Sequence, residues 1–252
     1  MATSATEGTH GAAVDRPRRQ VYDLSLPFNR NMPTYYFYRQ VQDAPFFSIV
    51  SHPAITPVED GYVTHVSFVT HTGTHVDALR HFREDGHTID QIEPDRWLGE
   101  GPVIGVPKGP GEVVTAADLE GSGMEVRAGD LVAINTGWHH RYCGPATDPI
   151  RARTYMEEAP GLCEESARWL VERGVKTVLV DTPALDACIH MPYGDSSLET
   201  HRVLFAENIP GVEGLGGDLD LVTGKRCLIS CAPVRYEGGE AFPLRALAMP
   251  LS

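Results

Sequence analysis

The amino-acid sequence predicts a single compact α/β domain, in which a mixed β-sheet forms a barrel-like core surrounded by helices. Short apolar runs typical of buried strands alternate with segments of helical spacing, as in other α/β domains. No internal repeat or low-complexity linker follows residue 20, and the 19 prolines and 25 glycines are spread through the chain. We therefore expect one loop-rich domain over residues 20–252, preceded by a polar, disordered tail over residues 1–19.

Seven segments have the composition or alternation of strands. They are 21–25, 62–70, 102–106, 129–136, 176–181, 226–234 and 244–249. Three helices are also predicted. The first begins after Thr115 as N-cap, the second covers 163–173 and stops at Gly174, and the third begins with the capping box Ser196 to Glu199 and ends near Ala206.

Charge and cysteine content narrow the functional classes. The formal net charge of −13 argues against nucleic acid and anionic membranes as partners, since both attract basic surfaces. No apolar run reaches about 18 residues, and the N-terminus has no secretory signal. Five cysteines without a CxxC pair indicate reduced thiols in a cytoplasmic protein, and we expect Cys227 and Cys231 to pack in the core.

One eleven-residue segment concentrates the chemistry, with three of the 11 histidines and one aspartate at the spacing His71-x3-His75-x-Asp77-x3-His81. Residues 71, 75 and 77 share parity, so an extended chain points them to one side, and Gly73 allows a turn between the histidines. Imidazole and carboxylate donors suit Zn²⁺, Mn²⁺ or Fe²⁺, and two His with one Asp leave positions open for water. If a helix begins near Asp77, His81 lies one turn on and can act as acid or base.

A second group lies far along the chain. His201 falls on the apolar face of the third predicted helix and needs a polar partner or a metal, although a core histidine satisfied by hydrogen bonds is the simpler interpretation. Glu213 lies in a Gly- and Val-rich stretch, where a surface turn is the simple alternative.

The first segment resembles the HxGTHxDxPxH signature of the cyclase family, which includes bacterial kynurenine formamidase and isatin hydrolase. The resemblance extends over most of the chain, from Tyr22-Asp-Leu-Ser to the stretch between His201 and Glu213. It implies the cyclase-like swivelling β/β/α fold, a divalent metal and a homo-oligomer, either a dimer or a tetramer.

The resemblance also implies roles for individual residues. His71, His75 and Asp77 correspond to ligands of a first metal, and Asp77 would bridge to a second ion held by His201 and Glu213. His81 corresponds to the catalytic acid/base. Tyr35 stands where formamidases carry a substrate-stacking tryptophan, and Leu79 stands where the signature has proline.

These features predict an enzyme that hydrolyses a small-molecule substrate with one or two Zn²⁺ or Mn²⁺ ions per subunit. The favoured reaction is cleavage of a non-peptide amide C–N bond, such as that of an aryl formamide. Alternatives are ring opening of a cyclic amide, imide or lactone, a lyase or cyclase reaction, and a metal-binding protein without catalysis. Trp138-His139-His140 could border a pocket, although paired histidines in a loop are usually just solvated. Asp181 and Asp186 could border it too, but a structural turn explains them equally well.

Overall fold

The computed structural model describes residues 20–29, 32–33, 48–51, 64–142, 149–188 and 198–251. The predicted tail over residues 1–19 and the predicted substrate residue Tyr35 lie outside these ranges, as do Ser196 and Ser197. Within them, no helix is long and apolar enough to cross a membrane.

Thirteen strands occur in the described part of the chain. They are β1 (Tyr22–Asp23), β2 (Ser48–Ser51), β3 (Thr64–Ser67), β4 (His75–Asp77), β5 (Leu98–Gly105), β6 (Val113–Val114), β7 (Leu131–Asn135), β8 (Gly161–Leu162), β9 (Thr177–Val180), β10 (Gly211–Glu213), β11 (Arg226–Ser230), β12 (Ala241–Pro243) and β13 (Leu247–Pro250).

Five α-helices and four 3₁₀ turns accompany these strands in the same ranges. The helices are α1 (Ala116–Gly121), α2 (Pro149–Glu157), α3 (Glu164–Glu172), α4 (Glu199–Ala206) and α5 (Leu219–Val222). The 3₁₀ turns are Leu79–His81, Ile89–Gln91, Pro94–Arg96 and Trp138–Arg141.

Nine strands form one curled, mixed sheet in the order β1-β13-β11-β5-β7-β9-β10-β4-β12. The central strands β5, β7, β9 and β10 pair in parallel, while all other pairings in the sheet are antiparallel. This arrangement confirms the predicted α/β class with a mixed sheet.

The parallel centre is buried on both faces, as expected for a sheet covered on two sides. Along β7, Leu131 and Ala133 belong to a first core cluster on one face of the sheet, whereas Val132 and Ile134 belong to a second core cluster on the other face. Helices α3 and α4 pack apolar side chains into the second cluster, and α5 packs into the first. The sheet is therefore a rigid layer on which short strands and their end loops can place polar side chains.

Strand β5 joins the antiparallel and parallel halves of the sheet. Residues Leu98–Pro102 pair with β11, and residues Val103–Gly105 pair with β7. At the junction, a Cβ on Gly101 would lie 1.7 Å from the backbone oxygen of Leu131, so the crossing of the two halves requires glycine.

The predicted helix signals are confirmed in two of three cases. The Thr115 hydroxyl accepts a hydrogen bond from the backbone N–H of Asp118 and caps α1, and Gly174 follows α3 with a positive φ of 68°. The third helix, α4, runs from Glu199 to Ala206 as expected, but the residues of its predicted Ser196 cap lie outside the described ranges.

Strands with little local signal were harder to anticipate. Strand β5 begins four residues before the predicted segment. Its first half has no apolar pattern of its own and is a strand because it pairs with β11. Glu213 lies in the buried strand β10, so the alternative of a surface turn is wrong. Cys227 and Cys231 are fully buried, as predicted, and burial raises their pKa values to about 11 and about 12.

Replacing Gly101 with alanine should lower the free energy of unfolding by about 3 kcal/mol or more, because a methyl group cannot fit against the Leu131 carbonyl. Urea denaturation followed by circular dichroism measures this change. Gly121→Ala is the matched control, since no atom lies within 4 Å of its Cβ position, and it should change stability by less than about 1 kcal/mol. Equal stability of the two variants would contradict the close crossing.

Candidate functional site

The centre of the candidate site is the short strand β4, which lies between β10 and β12. His75 and Asp77 point to one side of this strand, and Val76 between them belongs to the core cluster on the other. Upstream, Gly73 turns the chain with a φ of 66°, which brings His71 back beside Asp77. The shared parity of residues 71, 75 and 77 thus predicts their convergence correctly.

The turn before β4 is held against the loop after β10. The Thr74 hydroxyl donates to the Gly214 carbonyl oxygen at 2.5 Å and accepts from the Leu26 backbone N–H at 2.8 Å. Gly214 has a φ of 71°, and a Cβ there would lie 2.7 Å from the Gly73 carbonyl oxygen. The two turns can approach this closely only because position 214 is glycine.

Glu213 joins the site through sheet pairing. The antiparallel register of β10 and β4 places Glu213 directly opposite His75, and the Glu213 Oε2 atom lies 3.4 Å from His75 Nε2. The other carboxylate oxygen, Oε1, accepts a hydrogen bond from the Leu185 backbone N–H at 2.8 Å. Glu213 is therefore a buried and oriented carboxylate, although 138 positions separate it from His75 (213 − 75).

His201 reaches the same place from helix α4 and is buried, as its position on the apolar face predicted. Its Nε2 atom lies 3.2 Å from Glu213 Oε1 and 3.9 Å from Asp77 Oδ2. Its Nδ1 atom lies 2.5 Å from Asp186 Oδ2. The Asp186 carboxylate also accepts the backbone N–H groups of Thr200 and His201 in the first turn of α4, so one residue caps the helix and orients its histidine.

Asp77 is the common neighbour of four histidines. Its Oδ1 atom lies 2.9 Å from His71 Nδ1 and 3.4 Å from His75 Nε2. Its Oδ2 atom lies 3.9 Å from His201 Nε2 and 4.0 Å from His81 Nε2. The carboxylate itself is almost completely buried.

His81 is the member of the group nearest to solvent, because 30% of its side chain remains exposed. It follows Asp77 through a single 3₁₀ turn, Leu79–His81, rather than an α-helix beginning at Asp77, so the conditional expectation of a helix there is wrong. Burial, together with His71 and His201, lowers the pKa of His81 against the opposing effect of Asp77. A neutral imidazole at the mouth of the site can accept a proton near pH 7.

The pKa values of the two buried histidines, His75 and His201, are raised, whereas that of His81 is lowered. Burial opposes the charged forms, but the carboxylates of Asp77 and Glu213 raise the pKa of His75 to about 9, and Asp186 and Glu213 raise that of His201 to about 10. Burial likewise opposes ionised Asp77, and the surrounding histidines still hold its pKa well below its usual range.

The donor set fits a divalent metal ion. His75 Nδ1 lies 2.9 Å from the Gly73 carbonyl and donates to it, which directs Nε2 toward the carboxylates. His75 Nε2 is buried without a hydrogen bond among the described residues and lies 3.4 Å from both Asp77 Oδ1 and Glu213 Oε2, a situation that costs about 1–3 kcal/mol when no ion compensates. Separations of 2.9–3.4 Å between neighbouring donors match those of ligands about 2.0–2.2 Å from one ion.

The donors form two groups that share Asp77. One contains His71, Asp77 and His81, and the other contains His75, Asp77 and Glu213. The sequence resemblance instead pairs His71 with His75, and Glu213 with His201. The difference arises from the β4–β10 register, which sets Glu213 against His75 as well as His201.

Three further residues lie near the site; the sequence offered Asp186 only as a residue that could border a pocket, and it did not predict Phe82 or Glu240. Asp186 orients His201, Phe82 stacks on the His201 ring at a centroid distance of 4.9 Å, and Glu240 lies 3.8 Å from His71 Nε2. An acidic residue after a buried strand was the only available signal for Asp186. Phe82 and Glu240 carry no pattern that distinguishes them in the sequence, and Tyr35 lies outside the described residues.

Comparisons with known proteins agree with this geometry. A family described as "Putative cyclase" matches residues 22–187, which include the segment from His71 to His81. Kynurenine formamidase of Bacillus cytotoxicus is 27% identical over 231 residues, covering 91% of this chain and 97% of that protein. The corresponding protein of Bacillus cereus is 26% identical with the same coverage.

Solved structures show the same fold. Isatin hydrolase A from Ralstonia solanacearum has a TM-score of 0.76 and 25% identity, and the alignment covers 92% of each chain. An isatin hydrolase bound to the product analogue thioisatinate has a TM-score of 0.78 at 22% identity, again over 92% of each chain.

The histidine pKa values predict how the metal-free protein responds to pH. Because folding raises the pKa values of His75 and His201 from about 6.5 to about 9 and about 10, their contribution to stability is complete below pH 6.5 and is lost as the pH rises through 9 to 10. Urea denaturation of metal-depleted protein should therefore show lower stability at pH 9.5 than at pH 6.5. A His75→Gln variant should show a weaker dependence, and an unchanged dependence would argue against these assignments.

Proposed function

The chain belongs to the cyclase family, and from that premise we propose that it is a metal-dependent hydrolase that cleaves the amide C–N bond of an aryl formamide. The enzyme class, a hydrolase of non-peptide C–N bonds, is confirmed by relatives named kynurenine formamidase and isatin hydrolase. The observation that carries the proposal is the buried convergence of imidazoles and carboxylates beside a partly exposed His81.

In this proposal five side chains hold the metal. They are His71, His75, Asp77, His201 and Glu213. Two ions, either Zn²⁺ or Mn²⁺, with Asp77 as the shared ligand are supported by the position of its carboxylate, because Oδ1 faces His71 and His75 whereas Oδ2 faces His201. A divalent ion supplies Lewis acidity, which activates water at neutral pH and polarises a carbonyl oxygen.

The chain's own residues then control position and protons. Asp186 holds the His201 ring through Nδ1, and the Gly73 carbonyl holds the His75 ring in the same manner, so both Nε2 atoms stay fixed. During the attack of water on the amide carbonyl, His81 accepts a proton at Nε2 and returns it to the leaving nitrogen. This role is consistent with the lowered pKa and the partial exposure of His81.

Substrate recognition and assembly form the rest of the proposal. Tyr35 would stack on the aryl group, in place of the tryptophan of formamidases, because an aromatic face and a hydroxyl suit a ring with polar substituents. A small-molecule substrate and a homo-oligomeric assembly are supported by the family resemblance, and a cytoplasmic location is supported by the cysteine content.

A ring-opening hydrolase of cyclic amides is the second candidate function. It is favoured by the match to isatin hydrolase A, at 25% identity and a TM-score of 0.76. The same metal ligands and the same His81 would serve this reaction, so the two candidates differ only in the shape of the substrate.

Replacing His81 with alanine should lower kcat/KM by about 10²–10⁴-fold while the bound metal stays unchanged, because a proton carrier is lost and no ligand is removed. Steady-state kinetics and metal analysis by mass spectrometry on the same samples measure both effects. His87→Ala, at an exposed histidine six positions away (87 − 81), is the control and should behave as wild type. Full turnover in His81→Ala would disprove the acid/base role, and loss of metal would make His81 a ligand instead.

A substrate panel separates the two candidate functions. We expect kcat/KM for an aryl formamide to exceed that for an aryl-fused cyclic amide by at least about 10-fold, since one pocket shape discriminates by roughly 1–3 kcal/mol. Metal-loaded protein is tested with both compounds and with a lactone of the same ring size. A preference for the cyclic amide would replace the formamidase assignment with ring-opening hydrolysis, and hydrolysis of none of them would refute both.

A further inference from the structure

A second histidine and aspartate cluster lies apart from the ligands on β4 and β10. It contains His139 and His140 in the 3₁₀ turn after β7, and Asp220 in helix α5. His140 and Asp220 are 62% and 52% exposed, whereas the His139 side chain is only 6% exposed. The cluster therefore joins a buried imidazole to two side chains at the protein surface.

The buried histidine is oriented in the same way as His201. Its Nδ1 atom lies 2.9 Å from the Oδ2 atom of Asp181, a fully buried carboxylate after β9. Asp181 is itself held by the backbone N–H and the hydroxyl of Thr136, at 2.9 and 2.7 Å from Oδ1. With Nδ1 donating to a carboxylate, the second ring nitrogen, Nε2, lies toward Asp220 and carries the lone pair of the neutral ring, the arrangement that carboxylate–histidine pairs give to metal ligands.

This nitrogen has no hydrogen bond among the described residues. His139 Nε2 is buried, and its nearest acidic atom in the cluster is Asp220 Oδ1 at 3.5 Å. His140 Nε2 lies 3.0 Å from the other oxygen, Asp220 Oδ2. All three donor atoms fall within 4.8 Å of one another, and ligands about 2.0–2.2 Å from one ion are separated by roughly 3–3.5 Å.

Neighbouring side chains also position the third donor of the cluster, the Asp220 carboxylate. Asn135 Nδ2 donates to Asp220 Oδ1 at 3.0 Å and to the Thr223 hydroxyl at 2.8 Å, so it positions both the carboxylate and the helix that carries it. Trp138, one residue before His139, is buried and donates from Nε1 to the Tyr155 carbonyl at 2.9 Å, which anchors the 3₁₀ turn. Both ends of the cluster are thus attached to rigid parts of the fold.

We propose that His139, His140 and Asp220 form an additional binding site for a borderline divalent cation of the Zn²⁺ class, with Asp181 as the positioning residue. Two imidazoles and one carboxylate favour Zn²⁺, Ni²⁺ or Cu²⁺ over Mg²⁺ or Ca²⁺, which prefer oxygen donors. The ion would bridge the turn after β7 to helix α5 and stabilise that contact. It would leave exposed coordination positions, because two of its three ligands lie at the surface.

Zinc titration of the holoenzyme tests the site. Protein loaded at the catalytic centre and freed of excess metal is titrated with Zn²⁺ in a calorimeter, and wild type should bind one further equivalent. His140→Ala should weaken that binding by at least about 10-fold. The metal content of the catalytic centre and the rate of hydrolysis should not change. His87→Ala, at another exposed histidine, is the matched control and should retain the extra equivalent.

Asp220→Asn provides a second variant that keeps the size of the side chain and removes its charge. It should also weaken the extra equivalent, and Zn²⁺ should raise the Tm of wild type more than that of either cluster variant. The proposal is wrong if no further equivalent binds to wild type. It is equally wrong if the further zinc binds both cluster variants as tightly as His87→Ala, since the ion would then occupy another place on the surface.

Discussion

The candidate catalytic site depends on one buried carboxylate. Asp77 is almost inaccessible to solvent, and four imidazole rings approach its two oxygens at 2.9–4.0 Å. An ionised carboxylate in this position is tolerated only when positive charge compensates for lost hydration. Metal ions or protonated histidines must therefore neutralise it, and this requirement accounts for the concentration of histidines in the segment around β4.

The same requirement explains the architecture around Asp77. A strand can present His75 and Asp77 on one face, but the three other proposed ligands must come from elsewhere because a three-residue strand has no more positions on that face. His71 comes from the turn that precedes β4. Glu213 arrives from the neighbouring strand and His201 from helix α4, whose first turn is capped by Asp186. His75, His201 and Glu213 are each positioned by a hydrogen bond of the fold itself, so this part of the site does not depend on an ion for its arrangement.

The sequence predicts the local half of this site well. The spacing of His71, His75 and Asp77 is sufficient because their convergence depends on strand parity and on one glycine turn within seven residues (71–77). The pairing of His75 with Glu213 depends on which strands become neighbours and in what register, and no local pattern encodes that choice. For the same reason β5 was predicted only in part, since its first half is a strand because β11 lies beside it.

The position of β4 also bears on how the protein is made. Its two neighbours in the sheet, β10 and β12, consist of residues 211–213 and 241–243. A ribosome adds residues in order, so the segment with three of the site's four histidines emerges long before the strands that flank it. β4 obtains its first neighbour only when residue 213 has been added and its second only when residue 243 has been added. The ligand set is therefore incomplete until Glu213 has been synthesised, and a shorter nascent chain exposes its histidines without the arrangement that would select an ion.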